Sequence, residues 1–209
     1  QLITFITISF INNIMHKKLI LASSSKSRFQ ILKNAGLRFL QETPNCNENE
    51  IKKKIDNKNP TTFVKKLSYE KSKSISCLKK NLNKTVIGCD TVVYFNKTIF
   101  DKAKTITDAH KKLKLMSGKE HKIISGITLT QEGKKIWQCH DTTTVKIRNL
   151  SSKQISDYLN NTGKQILDSV GCYQIESKGP LIIESIKGDF FNVMGLPLFK
   201  LLHYIYSNK

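Results

Sequence analysis

Acidic residues and arginine are scarce in this chain. Asp and Glu number 16 against 35 Lys and Arg, which gives a formal net charge of +19 over 209 residues. Among the basic residues only Arg28, Arg38 and Arg148 are arginines. Nucleic-acid recognition leans on arginine forks. The lysines also gather in no arm: Lys17–Lys18, Lys52–Lys54, Lys65–Lys66, Lys79–Lys80, Lys111–Lys112 and Lys134–Lys135 are scattered. The charge therefore reads as a Lys, Ile and Asn bias spread over the chain, still compatible with a basic groove for a small triphosphate. Paired cysteines are missing too. Cys46, Cys77, Cys89, Cys139 and Cys172 form no C-x-x-C pair, which argues against a disulfide framework or structural zinc and fits a reducing cytosol. There is no P-loop, because Ser117-Gly118-Lys119 lacks the glycine five residues before Gly118. There is no long apolar run either. Gln1–Ile14 is apolar and uncharged, but too short for a bilayer span and without a signal peptide's basic start. Residues 1–14 read as upstream sequence, with Met15 the natural start, and no membrane association is expected.

What is present is a globular composition, 39% hydrophobic with no long polar tract. The length suits a single two-lobed domain. Lys18–Ala22 reads as a buried strand, Ser23-Ser24-Ser25 as a turn and Lys26–Ala35 as a helix closed by Gly36. Leu37–Glu42 reads as a strand and Thr43–Asn59 as a loop punctuated by Pro44 and Pro60. Thr61 is expected to cap a helix reaching about Lys80. Thr85–Phe95, β-branched and apolar, predicts a central strand with a candidate interruption at Gly88–Asp90, followed by a hairpin return at Ile99–Phe100. Thr107 or Asp108 should cap a helix to Met116. His121–Thr130 and Lys135–Arg148 should be long strands joined at Glu132-Gly133. Ser151 or Ser152 should cap a helix to Asn161, Pro180–Ile186 reads as a strand, and Gly195–Tyr206 as the last helix. This alternation gives the α/β class with a mixed central sheet flanked by helices.

Two places could carry chemistry. At Ser23–Arg28 a buried strand runs through hydroxyls into a helix start, where free N–H groups and the helix dipole attract phosphate. Arg28, on the first turn, could fork onto a phosphate oxygen, the competing reading being an ordinary cap beside a surface arginine. At Gly88-Cys89-Asp90-Thr91 a carboxylate interrupts an apolar strand, which is costly unless it is paired or metal-bound. The competing reading of Asp90 is a structural turn residue. By composition alone Lys71 and Lys102 read as solvated, and Glu48 as a loop residue.

These pieces stand in an order that resembles one family. Leu19–Arg28 (LILASSSKSR), Leu67–Ser72 (LSYEKS), Val86–Val93 (VIGCDTVV), Phe100–Ala103 (FDKA), Leu115–His121 (LMSGKEH), Ser125-Gly126, Asp168–Ile175 (DSVGCYQI) and Lys187–Leu198 (KGDFFNVMGLPL) together resemble the Maf proteins, which are nucleoside triphosphate pyrophosphatases. The likeness runs from about Met15 to Tyr206. It implies two lobes with a cleft between them, as in Maf and inosine triphosphatase-like proteins, and a cytoplasmic enzyme that is often a homodimer. Ser23, Arg28 and Lys71 would then bind phosphates. Glu48 and Asp90 would hold a divalent metal, Mg²⁺ or Mn²⁺. Asp90 would accept the proton of the attacking water, with Glu48 and Lys102 completing the catalytic set.

The chain departs from the family where Lys26-Ser27 replaces a common Pro-Arg, at Asp168-Ser169-Val170-Gly171, and where Lys102-Ala103 replaces a common Lys-Pro. Thr91 resembles the branch acting on dTTP and UTP, whereas Glu176 resembles the branch acting on 7-methyl-GTP. Base selection is assigned to Ser27, Thr91 and Glu176, and the base stays open. The substrate class is a nucleoside triphosphate, with removal of modified nucleotides or an effect on cell division as roles the resemblance implies. The alternative is a basic nucleic-acid-binding module or inactive relative. It would need exposed aromatics, whereas Phe95, Phe100, Phe190 and Phe191 sit in apolar contexts.

Overall fold

A computed structural model describes residues 19–55 and 59–207. The proposed upstream segment 1–14 lies outside the described residues. Apolar β1 (Leu19–Ala22) is buried at every position, as a strand covered on both faces must be. It runs parallel to β2 (Phe39–Glu42) on one side and to β3 (Thr85–Phe95) on the other. Past β3 the sheet turns antiparallel, through β5 (Glu120–Gln131), β6 (Lys134–Ile147) and β7 (Ile183–Lys187). Short β4 (Thr98–Phe100) forms a hairpin on β3, completing a seven-stranded mixed sheet in the order β2-β1-β3-β5-β6-β7. The turn between β5 and β6 uses positive φ at both Glu132 and Gly133, the twist that suits a tight hairpin.

The helices are α1 (Lys26–Asn34), α2 (Glu48–Lys54), α3 (Pro60–Ser76), α4 (Ile106–Met116), α5 (Ser152–Thr162), α6 (Phe190–Val193) and α7 (Leu198–Ser207). Of the four hydrophobic clusters among the described residues, the two largest bear on the site. Leu21, Leu32, Ile87, Ile127 and Leu201 gather under α1 and α7. Val93, Leu113, Val145, Ile155 and Leu159 gather under α4 and α5. The change from one core to the other falls on β3 between Cys89 and Val93, where Asp90 and Thr91 stand.

Helix α3 crosses this junction closely. A Cβ on Gly88 would collide with the Ser68 carbonyl and come within 2.8 Å of the Ser72 nitrogen, and one on Gly126 would sit 2.6 Å from the Val64 carbonyl. Only glycines let the α3 backbone lie on β3 and β5 at this distance. The Ser68 and Thr128 hydroxyls bond across the contact at 2.7 Å. This approach brings Lys71 over Asp90.

Several boundaries differ from the expectation. The expected loop 43–59 holds α2, a short polar helix capped by the Asn47 side chain, with Glu48 and Glu50 in its first turn facing the helix dipole. It has no apolar stripe to announce it. Helix α3 starts two residues earlier than expected because Asn59, not Thr61, caps it ahead of Pro60. It ends at Ser76, before a separate 3₁₀ turn at Lys79–Asn81. Thr105 caps α4. Residues 179–181 form a 3₁₀ turn rather than strand, and the expected last helix begins at Leu198, after the short α6. Strand β3 is not interrupted, since Gly88, Cys89 and Asp90 all stay in the ladder with β5.

Candidate active site

The end of β1 delivers the chain to α1 through hydroxyls that cap it. Ser25 Oγ accepts the Arg28 backbone N–H at 3.4 Å, and Ser23 Oγ accepts the Ser25 N–H at 3.2 Å. The Arg28 side chain is half-buried. It folds back over the strand ends and donates from Nε to the Gly195 carbonyl at 2.8 Å, from Nη2 to Thr91 Oγ1 at 3.0 Å and from Nη1 to Ser23 Oγ at 3.4 Å. The surface-arginine reading is thereby set aside. The guanidinium ties the α1 start, mid-β3 and the segment after α6 together.

Asp90 is only 7% exposed and sits inside β3 opposite Gly126, so it is no turn residue. The Lys71 ammonium lies 2.7 Å from Asp90 Oδ1 and 3.1 Å from Glu48 Oε1. Lys71, itself 8% exposed, is thus the shared cation of two carboxylates rather than a solvated lysine. Burial alone would draw its ammonium downward and Arg28 adds to that, but Asp90 and Glu48 outweigh both and raise it above the ordinary lysine value. Lys102 lies at the surface in the loop after β4. Partial loss of solvent, then repulsion from Arg28, pull its ammonium below the ordinary value, while Asp168 opposes them. That loop is tied to α2 by the Lys52–Asp101 ion pair at 2.9 Å. Arg28, Glu48, Lys71, Asp90 and Lys102 share one electrostatic environment.

The three residues assigned to the base separate. Ser27 donates to Glu176 Oε1 at 2.8 Å on the exposed side of α1. Thr91 instead turns its hydroxyl toward Arg28, Ser125 and the Gly195 carbonyl. Ser125 and Asn192, both fully buried, extend this network, the Ser125 hydroxyl donating to the Asn192 carbonyl at 3.2 Å. Ser125 and Asn192 lie in stretches that carried the resemblance, but no role for either was legible in the sequence. Of the aromatics read as core or cleft wall, Phe95 and Phe100 pack edge to face, and Phe190 is 44% exposed.

Among the described residues no group of three or more His, Cys, Asp or Glu is placed to hold a metal. Glu48 and Asp90 are two hard oxygen donors converging on one ammonium. Mg²⁺ is commonly held by one or two carboxylates together with substrate phosphates. The donors present fit a cation that arrives with a triphosphate, not one caged by protein alone.

Carboxylates, lysines and a clamped arginine thus gather on a mixed α/β sheet where two hydrophobic clusters meet. The family is then direct: the chain belongs to the Maf-like proteins, whose family model matches residues 18–208. It is 41% identical over 184 residues to the "7-methyl-GTP pyrophosphatase" of Bartonella henselae, covering 88% of this chain and 92% of that protein. It is 38% identical over 186 residues to the "dTTP/UTP pyrophosphatase" of Clostridioides difficile, covering 88% and 91%. Among solved structures, the Ham1 protein of Staphylococcus aureus aligns with 63% of this chain and 72% of its own at 16% identity, with a TM-score of 0.41.

Proposed function

We propose that this protein hydrolyses a nucleoside triphosphate to the monophosphate and pyrophosphate, by attack of water on the α-phosphorus. The observation that carries the reading is the buried Lys71 ammonium held between Asp90 and Glu48, beside an arginine clamped at a helix start. Relatives named as pyrophosphatases of 7-methyl-GTP and of dTTP and UTP support it.

In this reading the triphosphate lies along the α1 start, its oxygens meeting Ser23 and Arg28. The Asp90 carboxylate takes a proton from water as the water oxygen bonds to the α-phosphorus. The bridging oxygen between α- and β-phosphorus leaves with its electron pair on pyrophosphate. Lys71 and Lys102 offset the charge that gathers on that leaving group. A divalent cation, Mg²⁺ or Mn²⁺, bound by Glu48 and Asp90 would screen the phosphates from one another and from the carboxylates.

Base choice in this reading rests on the Ser27–Glu176 pair, whose hydroxyl and carboxylate can meet a base edge. The five free cysteines accord with a reducing cytosol. The test is pyrophosphate release from dTTP, UTP, CTP, 7-methyl-GTP and inosine triphosphate with Mg²⁺. Wild type should release pyrophosphate from at least one, and Asp90→Asn should be slower by orders of magnitude. Silence on all five, with tight salt-sensitive binding to DNA or RNA, would replace this reading by the basic-module alternative.

A further inference from the structure

The Thr91 hydroxyl has three protein partners. It accepts from Arg28 Nη2 at 3.0 Å, lies 2.9 Å from Ser125 Oγ and reaches the Gly195 carbonyl at 3.2 Å. A threonine hydroxyl has one hydrogen and two lone pairs. If that hydrogen goes to Gly195, Ser125 donates to Thr91. If Ser125 donates to the Asn192 carbonyl, the Thr91 hydrogen goes to Ser125. In both arrangements one lone pair belongs to Arg28 and no hydrogen is left for a substrate.

The Gly195 carbonyl closes a triangle, because it also accepts Arg28 Nε–H at 2.8 Å. Gly195 has φ +101, and a Cβ there would lie 3.3 Å from Thr91 Oγ1 and 3.5 Å from Arg28 Nε. The backbone presents its carbonyl there only because the residue is glycine. Behind the triangle the anchoring is buried and rigid. Asn192 Nδ2 donates to the Ile123 carbonyl at 3.2 Å and to Thr143 Oγ1 at 3.0 Å, and Thr143 Oγ1 donates to the Asp189 carbonyl at 3.0 Å.

We infer that Thr91 is a positioning residue for the phosphate-binding Arg28, set through Ser125 and Gly195. The inference rests on the triphosphate reading of the site, but a ligand without a base tests it separately. Inorganic tripolyphosphate with Mg²⁺ is titrated calorimetrically into wild type, Thr91→Val, Thr91→Ser, Arg28→Ala and the Thr91→Val/Arg28→Ala double variant. Losing a hydrogen bond to a charged group should weaken tripolyphosphate by roughly ten- to a hundredfold in Thr91→Val. Thr91→Ser should restore binding, and Thr91→Val should add nothing once Arg28 is gone. On nucleotides, Thr91→Val should lower kcat/KM, as it lowers tripolyphosphate affinity.

Wild-type tripolyphosphate affinity in Thr91→Val would overturn the inference. So would an equal loss in the Arg28→Ala background, or a wild type that binds no tripolyphosphate. If Thr91→Val fails to fold, Thr91→Ala, which adds no bulk, carries the same expectations. A wild type that binds tripolyphosphate but cleaves no nucleotide would count against the proposed reaction and leave the positioning result standing.

Discussion

Replacing Lys71 by methionine removes the shared cation and keeps most of the side-chain volume. Asp90, 7% exposed, then keeps a buried carboxylate without the ammonium at 2.7 Å. Breaking a buried pair by removing one partner costs about 3–5 kcal/mol. For a domain of this size each kcal/mol moves the melting temperature by roughly 2–4 °C, so Lys71→Met should melt about 6–20 °C lower. Asp90→Asn should cost less, about 1–3 kcal/mol, because Lys71 keeps Glu48 at 3.1 Å and that carboxylate is 44% exposed and screened. The double variant exchanges a buried pair for neutral groups and should recover part of the lost stability. A coupling of about 2–3 kcal/mol is expected. Thermal and urea unfolding followed by circular dichroism, at low salt without nucleotide, reads all four corners of the cycle. Additivity of the two single variants within about 0.5 kcal/mol would refute the buried bridge.

Acid sensitivity should trace in part to His121, whose imidazole burial pulls from 6.5 down to about 4. The unfolded chain therefore binds that proton first. The stability contribution is complete above pH 6.5 and is lost as pH falls toward 4, on the order of 3 kcal/mol. His121→Phe should flatten this stretch of the urea-midpoint profile relative to wild type, and an unchanged slope would refute the assignment. Gly88→Ala should destabilise by several kcal/mol or abolish soluble expression, since its Cβ meets the backbone of α3. A wild-type melting temperature in that variant would contradict the close approach. Glu176→Gln should shift the ranking of nucleotides in pyrophosphate release and leave tripolyphosphate affinity within about twofold, because Glu176 bonds Ser27 and not the arginine network.

Local patterns carried much of the fold. The apolar run of β3, the hydroxyls before α1 and the Glu132-Gly133 hairpin are signals within a few residues, and each appears where expected. Asp90 stood out because a carboxylate in an apolar strand needs a partner, and Lys71 is that partner. Neither the identity of the partner nor its burial was legible, because 19 residues and the glycine-mediated seating of α3 separate the two. The ENEIKKK segment hid a helix because its stability comes from an Asn cap and acidic first turn, not from an apolar face. The role of Thr91 was hidden most deeply. Its partners Arg28, Ser125 and Gly195 lie 63, 34 and 104 positions away, and only the tertiary fold brings them together.

The most direct test of the proposed reaction is hydrolysis of the best nucleotide in H₂¹⁸O, with the products weighed by mass spectrometry. Water attack on the α-phosphorus beside Asp90 predicts a nucleoside monophosphate carrying one ¹⁸O and a pyrophosphate carrying none. Label in pyrophosphate, or products consisting of a diphosphate and labelled orthophosphate, would contradict it.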